Sequence, residues 1–205
     1  DWMSSLTECN IASLSYSLNI CACVDKTNPI VYAGNRFRAG YPGRGGRFVD
    51  PLAYWIGFNR VRGIGPARFR ALVDACGSVE AAWSAPESML RDAGLDRRSV
   101  ATLLAVRDQL DLAAELARVQ RAGVRVLTWD DPAYPQRLLN IYDPPFVLYV
   151  RGELRPEDDW AVAIVGTRGA SVYGLEAARR LAGDLAAAGA TIISGLARGI
   201  DAQAH

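Results

Sequence analysis

Apolar residues recur at helical spacing through residues 50–122 and give way to short unbroken runs after Gly123. Leu52, Trp55, Ile56 and Phe58 share one face of a helix, and Phe69, Leu72 and Val73 share a face of the next. Pro66 suits the first turn of that second helix. Gly77 suits its C-terminal cap, and Ser78 the N-cap of a third helix through Val79, Ala82 and Trp83. A short helix after Pro86 ends at Gly94. The stripe Val100, Leu103, Leu104, Val106, Leu110, Leu112, Leu116, Val119 predicts one long helix over 97–121. Residues 124–128 and 146–151 read as strands, 130–135 as a turn, Pro144 and Pro145 as further punctuation, and 155–159 as a polar, acidic loop. The apolar runs near 161–165 and 190–194 flank a helical stretch over 173–188 closed by Gly189, which predicts a parallel βαβ unit with a right-handed crossover. The expected class is α/β. Residues 1–49 form an extension without sustained period, 50–123 a small helical domain, and 124–205 an incomplete α/β domain that holds the βαβ unit.

Composition narrows the function classes. An apolar fraction of 50% supports a packed core, and a formal net charge of +1 means that any anion-binding surface is a local patch. Lys26 is the only lysine among 23 basic residues; a high-GC genome gives that bias without functional meaning, though arginine is also the better fork for phosphate. Cys9, Cys21, Cys23 and Cys76 lack C-x-x-C spacing, so a reducing cytoplasm is the simple expectation. A single histidine, His205, leaves no His-based metal site or Ser-His-Asp triad to assemble. No metal and no cofactor is expected. No charge-free apolar stretch reaches the roughly 20 residues of a membrane span, so no membrane partner is expected. The chain begins at Asp1 and stops at His205 inside an apparent helix start, so it reads as an N-terminal piece of a longer protein, its sheet truncated.

Four stretches could carry chemistry. Residues 34–47 are Gly/Arg-rich, which fits either an RGG-like nucleic-acid tail or a disordered or non-native extension. Gly63-Ile64-Gly65 between two helices resembles the turn of helix-hairpin-helix modules, where glycines let backbone N–H groups reach a DNA phosphate. Arg60, Arg62, Arg68 and Arg70 flank it, and residues 51–73 contain no acid. Arg62, Gly63, Gly65 and Arg68 are therefore a second candidate DNA contact; the alternative is a plain αα-hairpin. The third stretch, Gly166-Thr167-Arg168-Gly169, follows a buried run and precedes a helix, as phosphate-cradling loops do. It lacks G-x-G-x-x-G, a terminal acid on the second strand and any Walker-type lysine, which turns it away from a dinucleotide and toward a phosphodiester. The fourth is Ser194-Gly195-Leu196-Ala197-Arg198-Gly199-Ile200-Asp201. Arg198 is assigned to phosphate and Asp201 to architecture, as N-cap of the next helix. Ser194 lacks both a base nearby in sequence and the G-x-S-x-G elbow of a nucleophile.

These elements in order resemble the DprA/Smf family of DNA-processing proteins. The likeness is carried by Val165-Gly166-Thr167-Arg168, Tyr173-Gly174 and Ser194 to Asp201 followed by Ala204-His205. The lead-in Tyr134-Pro135-Gln136-Arg137-Leu138, Asp143-Pro144-Pro145 and Leu148-Tyr149-Val150-Arg151-Gly152 also carries it, as do Gly63-Ile64-Gly65 and Gly77-Ser78. It covers roughly residues 52–205. The resemblance implies a helix-hairpin-helix or SAM-like helical domain followed by an extended Rossmann-like domain that binds single-stranded DNA in a basic pocket. It implies no enzymatic activity, a role in protecting DNA and loading RecA recombinase during natural transformation and recombination, a homodimer in the full-length family, and a cytoplasmic setting. The site residues it implies are Gly166, Thr167, Arg168, Ser194, Gly195, Arg198 and Gly199. A further basic residue of the family's pocket, its other strands, its dimer surface and any C-terminal winged helix would lie beyond His205. Two other functions fit the residues: a Rossmann-like nucleotide phosphoribohydrolase, with Asp201 as the nearby acid, and a helical protein-interaction module that never touches DNA.

Overall fold

The computed structural model describes residues 49–205; the Gly/Arg-rich stretch 34–47 lies outside them. The chain divides into two compact units, whose described parts are residues 49–161 and 162–205.

In the first unit the local signals for turning and capping act as the sequence predicts. Helix α1 (Pro51–Asn59) starts where the Asp50 side chain accepts from the Leu52 N–H at 2.9 Å. Helix α2 (Pro66–Cys76) has Pro66 at its first position and ends at Gly77, which takes φ +83° and donates its N–H to the Val73 carbonyl at 2.8 Å. Ser78 caps α3 (Val79–Ser84) by accepting from the Ala81 N–H at 3.1 Å. Helix α4 (Glu87–Asp92) follows Pro86.

The single long helix expected over 97–121 is two helices, α5 (Arg97–Gln109) and α6 (Leu112–Arg121). Leu110 leaves the helix at φ −94°, ψ 116°, and the Asp111 carboxylate accepts from the Ala114 N–H at 3.0 Å, starting a new helix. The apolar stripe crosses the break undisturbed because Leu110 and Leu112 both pack on the same core. Periodicity alone does not register the interruption.

Strands β1 (Arg125–Thr128) and β2 (Val147–Val150) pair antiparallel, with Val126 opposite Tyr149 and Leu127 opposite Leu148. β1 and β2 form a ladder of their own and lie in the unit that holds the helices. Val126, Val147 and Tyr149 face the helical core, while Leu127, Leu148 and Val150 face a smaller cluster around Tyr134. Both faces are covered, which is why these strands are unbroken apolar runs. The connection between them holds a one-turn helix, α7 (Gln136–Leu139), and the buried Tyr134 hydroxyl donates to the Pro145 carbonyl at 2.7 Å.

Aromatic rings fill the core. Phe69 of α2 stacks on Phe146 at 4.1 Å and 11°, tilts against Trp55 at 4.8 Å and meets Phe58 at 5.2 Å, while Phe58 meets Trp83 at 5.1 Å. Rings in these offset and edge contacts add to the apolar area they bury, and Phe146 ties the ladder to the helices. The acidic stretch after β2 forms a turn of 3₁₀ helix over Pro156–Asp159.

The second unit is smaller. Strands β3 (Ala161–Ala163) and β4 (Thr191–Ile193) are hydrogen-bonded neighbours joined through α8 (Val172–Ala187), and α9 (Ile200–Ala204) follows. Ser171 caps α8 by accepting from the Gly174 N–H at 3.2 Å. Ile164, Ala182 and Ala204 form its buried centre, with Val162, Leu185, Ile192 and Ile200 packed around them.

Candidate nucleic-acid interface

At the hairpin between α1 and α2, Ile64 plugs the core, while Arg62, Gly63 and Gly65 stay exposed. Gly63 sits at φ +90°, and a Cβ there would lie 2.8 Å from the Ser99 hydroxyl, so only glycine fits without strain. Arg68 does not reach outward. Its guanidinium donates to the Gly63 carbonyl and the Ser99 hydroxyl, both at 2.8 Å, and pairs with Asp96 at 2.8 Å. The Ser99 backbone N–H, with Arg68 adding to it, holds the Asp96 carboxyl below its usual range. Arg60 pairs with Glu115 at 3.7 Å, and Arg70 lies over the Trp129 ring at 4.5 Å. Of the four arginines that made this stretch look basic, three are engaged within the protein, and the electrostatic case for the hairpin rests on Arg62.

A shallow groove of about 480 Å³ runs beside α2, lined by Arg70, Asp74, Trp129, Tyr142 and Asp143 among others. Its carboxylates oppose its arginine, so it offers no clear anion site.

The two glycine turns of the second unit meet. Gly199 takes φ +103°, and a Cβ on it would fall 2.2 Å from the Thr167 carbonyl oxygen and 2.8 Å from the Arg168 Cα. The backbones of the two loops are therefore in contact, and Arg168 and Arg198, both exposed, come from adjoining backbone. The Ile200 N–H donates to the Thr167 carbonyl at 3.3 Å. Gly166 is needed because a Cβ there would press on Ile200 at 2.7 Å. Thr167 is exposed, and its hydroxyl accepts from the Gly169 N–H at 3.2 Å.

Asp201 differs from its expected role. The N-cap of α9 is Gly199, with no side-chain cap. Asp201 is 6% exposed, and its carboxylate turns back into the loops: one oxygen accepts from the Gly166 N–H and the other from the Gly195 N–H, each at 3.0 Å. Ser194, 4% exposed, donates to the Asp201 backbone carbonyl at 3.2 Å and accepts from the Leu196 N–H at 3.1 Å. The N–H groups of Gly166 and Gly195 and the hydroxyl of Ser194, expected to line the pocket, are thus engaged inside the protein. Arg168 and Arg198 remain the outward-facing charges of these two loops.

Sequence reasoning missed this clasp because the partners lie 35 and 6 residues from Asp201, and no periodicity links them. It also assigned no role to three exposed apolar or aromatic residues near Arg168 in sequence. Val165 (69% exposed), Val172 (85%) and Tyr173 (83%) are all open. An exposed aromatic at the start of a helix, five residues after Arg168, was the available signal.

Among the described residues no group of histidine, cysteine and acidic side chains could hold a metal ion, and no helix is long and apolar enough to cross a membrane.

Residues 125–205 match the family model described as DNA recombination-mediator protein A. The chain is 35% identical over 158 residues to Protein Smf of Synechocystis sp., covering 75% of this chain and 40% of that protein. It is 33% identical over 172 residues to a putative DNA processing protein DprA of Mycobacterium tuberculosis, covering 77% of this chain and 43% of that protein. The chain spans less than half the length of these curated relatives. Its fold is similar to the X-ray structure of DNA processing protein A from Streptococcus pneumoniae, with TM-score 0.55 and 25% identity over 75% of this chain and 52% of that one.

Proposed function

Because residues 125–205 belong to the DprA/Smf family of DNA-processing proteins, we propose that this chain contributes one wall of a non-catalytic site for single-stranded DNA. The observation that carries it is the backbone contact between two glycine turns that each present an outward arginine, Arg168 and Arg198. Guanidinium groups fork onto phosphodiester oxygens. The ring of Tyr173, 83% exposed at the start of α8, offers the stacking surface that unpaired bases use and paired bases do not. Thr167, Gly166 and Gly199 shape this wall, while Ser194 and Gly195 support it from within.

The site suits a binder better than a hydrolase. Asp201 is the acid nearest the turns, but it is buried and both its oxygens accept from backbone N–H groups. It is poorly placed to serve as a general acid or base for a nucleotide phosphoribohydrolase. Mass spectrometry of nucleoside monophosphates incubated with the protein is expected to show no free base. By likeness to the family, the further partners are RecA recombinase and a second copy of the protein, in a cytoplasmic setting during transformation and recombination.

The direct test is fluorescence anisotropy with a labelled oligonucleotide. Arg168→Ala is expected to weaken binding about tenfold, since a charged phosphate contact is worth on the order of 1.5 kcal/mol or more. The melting temperature should stay nearly unchanged, because Arg168 is exposed. Unchanged affinity would remove Arg168 from the site. A duplex of equal length should bind more weakly than the single strand.

A further inference from the structure

We infer that Asp201 is the positioning residue of this site: one buried carboxylate clamps both arginine-bearing loops and occupies the anion seat at the strand ends. The inference rests on the proposal that Arg168 and Arg198 contact DNA.

Its oxygens accept from Gly166, which opens the Arg168 loop, and from Gly195, which opens the Arg198 loop, both at 3.0 Å. These are the backbone donors that a bound phosphate takes when a glycine-rich turn follows a strand. Here the protein supplies the anion itself. Two consequences follow. The seat is closed to a mononucleotide phosphate, so the ligand is a polyanion lying outside the loops, held by side chains. The two loops also move as one body, because a single carboxylate spans them and the Gly199 backbone abuts Thr167 and Arg168.

The sign of one substitution separates positioning from simple charge. Asp201→Asn removes a negative charge from beneath a phosphate site. If Asp201 were only a nearby anion, the change would strengthen DNA binding. If it positions the loops, Asn has one acceptor oxygen for two N–H groups, one loop loosens, and binding weakens. A loosened loop lowers the competent fraction by a factor that does not depend on salt. The affinity of Asp201→Asn should therefore fall about fivefold or more at every salt concentration, with the slope of log K against log salt unchanged. Arg168→Ala, measured alongside, should instead lose slope. Asp201→Ala should fall further and recover in part with sodium formate, but not with sodium chloride at equal ionic strength.

Amide hydrogen exchange on the unmodified protein needs no variant to fold. Gly166 and Gly195 are exposed residues, yet their N–H groups should exchange slowly. Asp201→Asn binding as tightly as the native protein or tighter, with Arg168→Ala still weakened, overturns the inference and leaves the DNA site standing. Fast exchange at both glycines overturns it as well. Native affinity in both variants removes the site together with the inference.

Discussion

Single positions in this protein are constrained by what an added atom would strike. At Gly199 both the backbone angle, φ +103°, and the 2.2 Å approach to the Thr167 carbonyl forbid a side chain. Gly199→Ala should destabilise the second unit by more than about 3 kcal/mol, read as a lower denaturant midpoint, because strain and a backbone clash add. Gly166 is a different case. The obstacle to a Cβ there is the Ile200 side chain at 2.7 Å. Gly166→Ala should be damaging alone and partly rescued by Ile200→Gly, which removes the Cβ at 2.8 Å together with the γ carbons, a coupling that a double-mutant cycle measures. Lack of rescue would mean that backbone freedom, not space, fixes this glycine. At Tyr134, burial pushes the phenol from 10.0 up to about 12, and only the protonated hydroxyl can donate to the Pro145 carbonyl. The folded state then holds its proton more tightly than the unfolded chain. The stabilisation is complete below pH 10 and is lost as pH rises from 10 to 12. Denaturant midpoints should fall across that window, and the fall should be shallower in Tyr134→Phe.

At the scale of elements, what the sequence makes legible is whatever depends on near neighbours. Pro66, Gly77 and Ser78 announce the ends of α2 and the start of α3, and each acts as its residue type dictates. Long-range contacts are where the reading departs. The stripe from Val100 to Val119 is continuous although the helix breaks at Leu110, because both halves bury their apolar face in the same core. Arg68 looks like a DNA contact beside a glycine hairpin, but its partners Ser99 and Asp96 lie across the next helices. Arg68→Ala should therefore lower stability by about 1 kcal/mol through the lost hairpin contacts. It should leave the salt dependence of DNA binding as it was, whereas loss of slope would return Arg68 to the interface. Arg107 shows the same principle: its guanidinium donates to the Ala82 and Ala85 carbonyls, both at 2.9 Å, closing the end of α3 from α5.

For the whole molecule, the two units have different characters. The first is held by a ring cluster shared between helices and an antiparallel ladder. The second buries few large side chains and is organised around hydrogen bonds to Asp201. The motif that identifies the family in sequence, Ser194 to Asp201, is therefore partly a scaffold. Its serine, one glycine N–H and its aspartate bind one another, and its arginine faces out. Residue types and spacing pick out the motif, but do not tell its buried, internally bonded members from those that face out.

The most direct test is the oligonucleotide affinity of the protein measured across a salt series, for the native sequence and for Arg168→Ala, Arg198→Ala and the double variant. The expected result is a steep linear fall of log K with log salt. The slope should lessen by about one for each arginine removed and by about two for both. A slope that is the same in all four proteins would contradict the assignment of these two arginines to the DNA backbone.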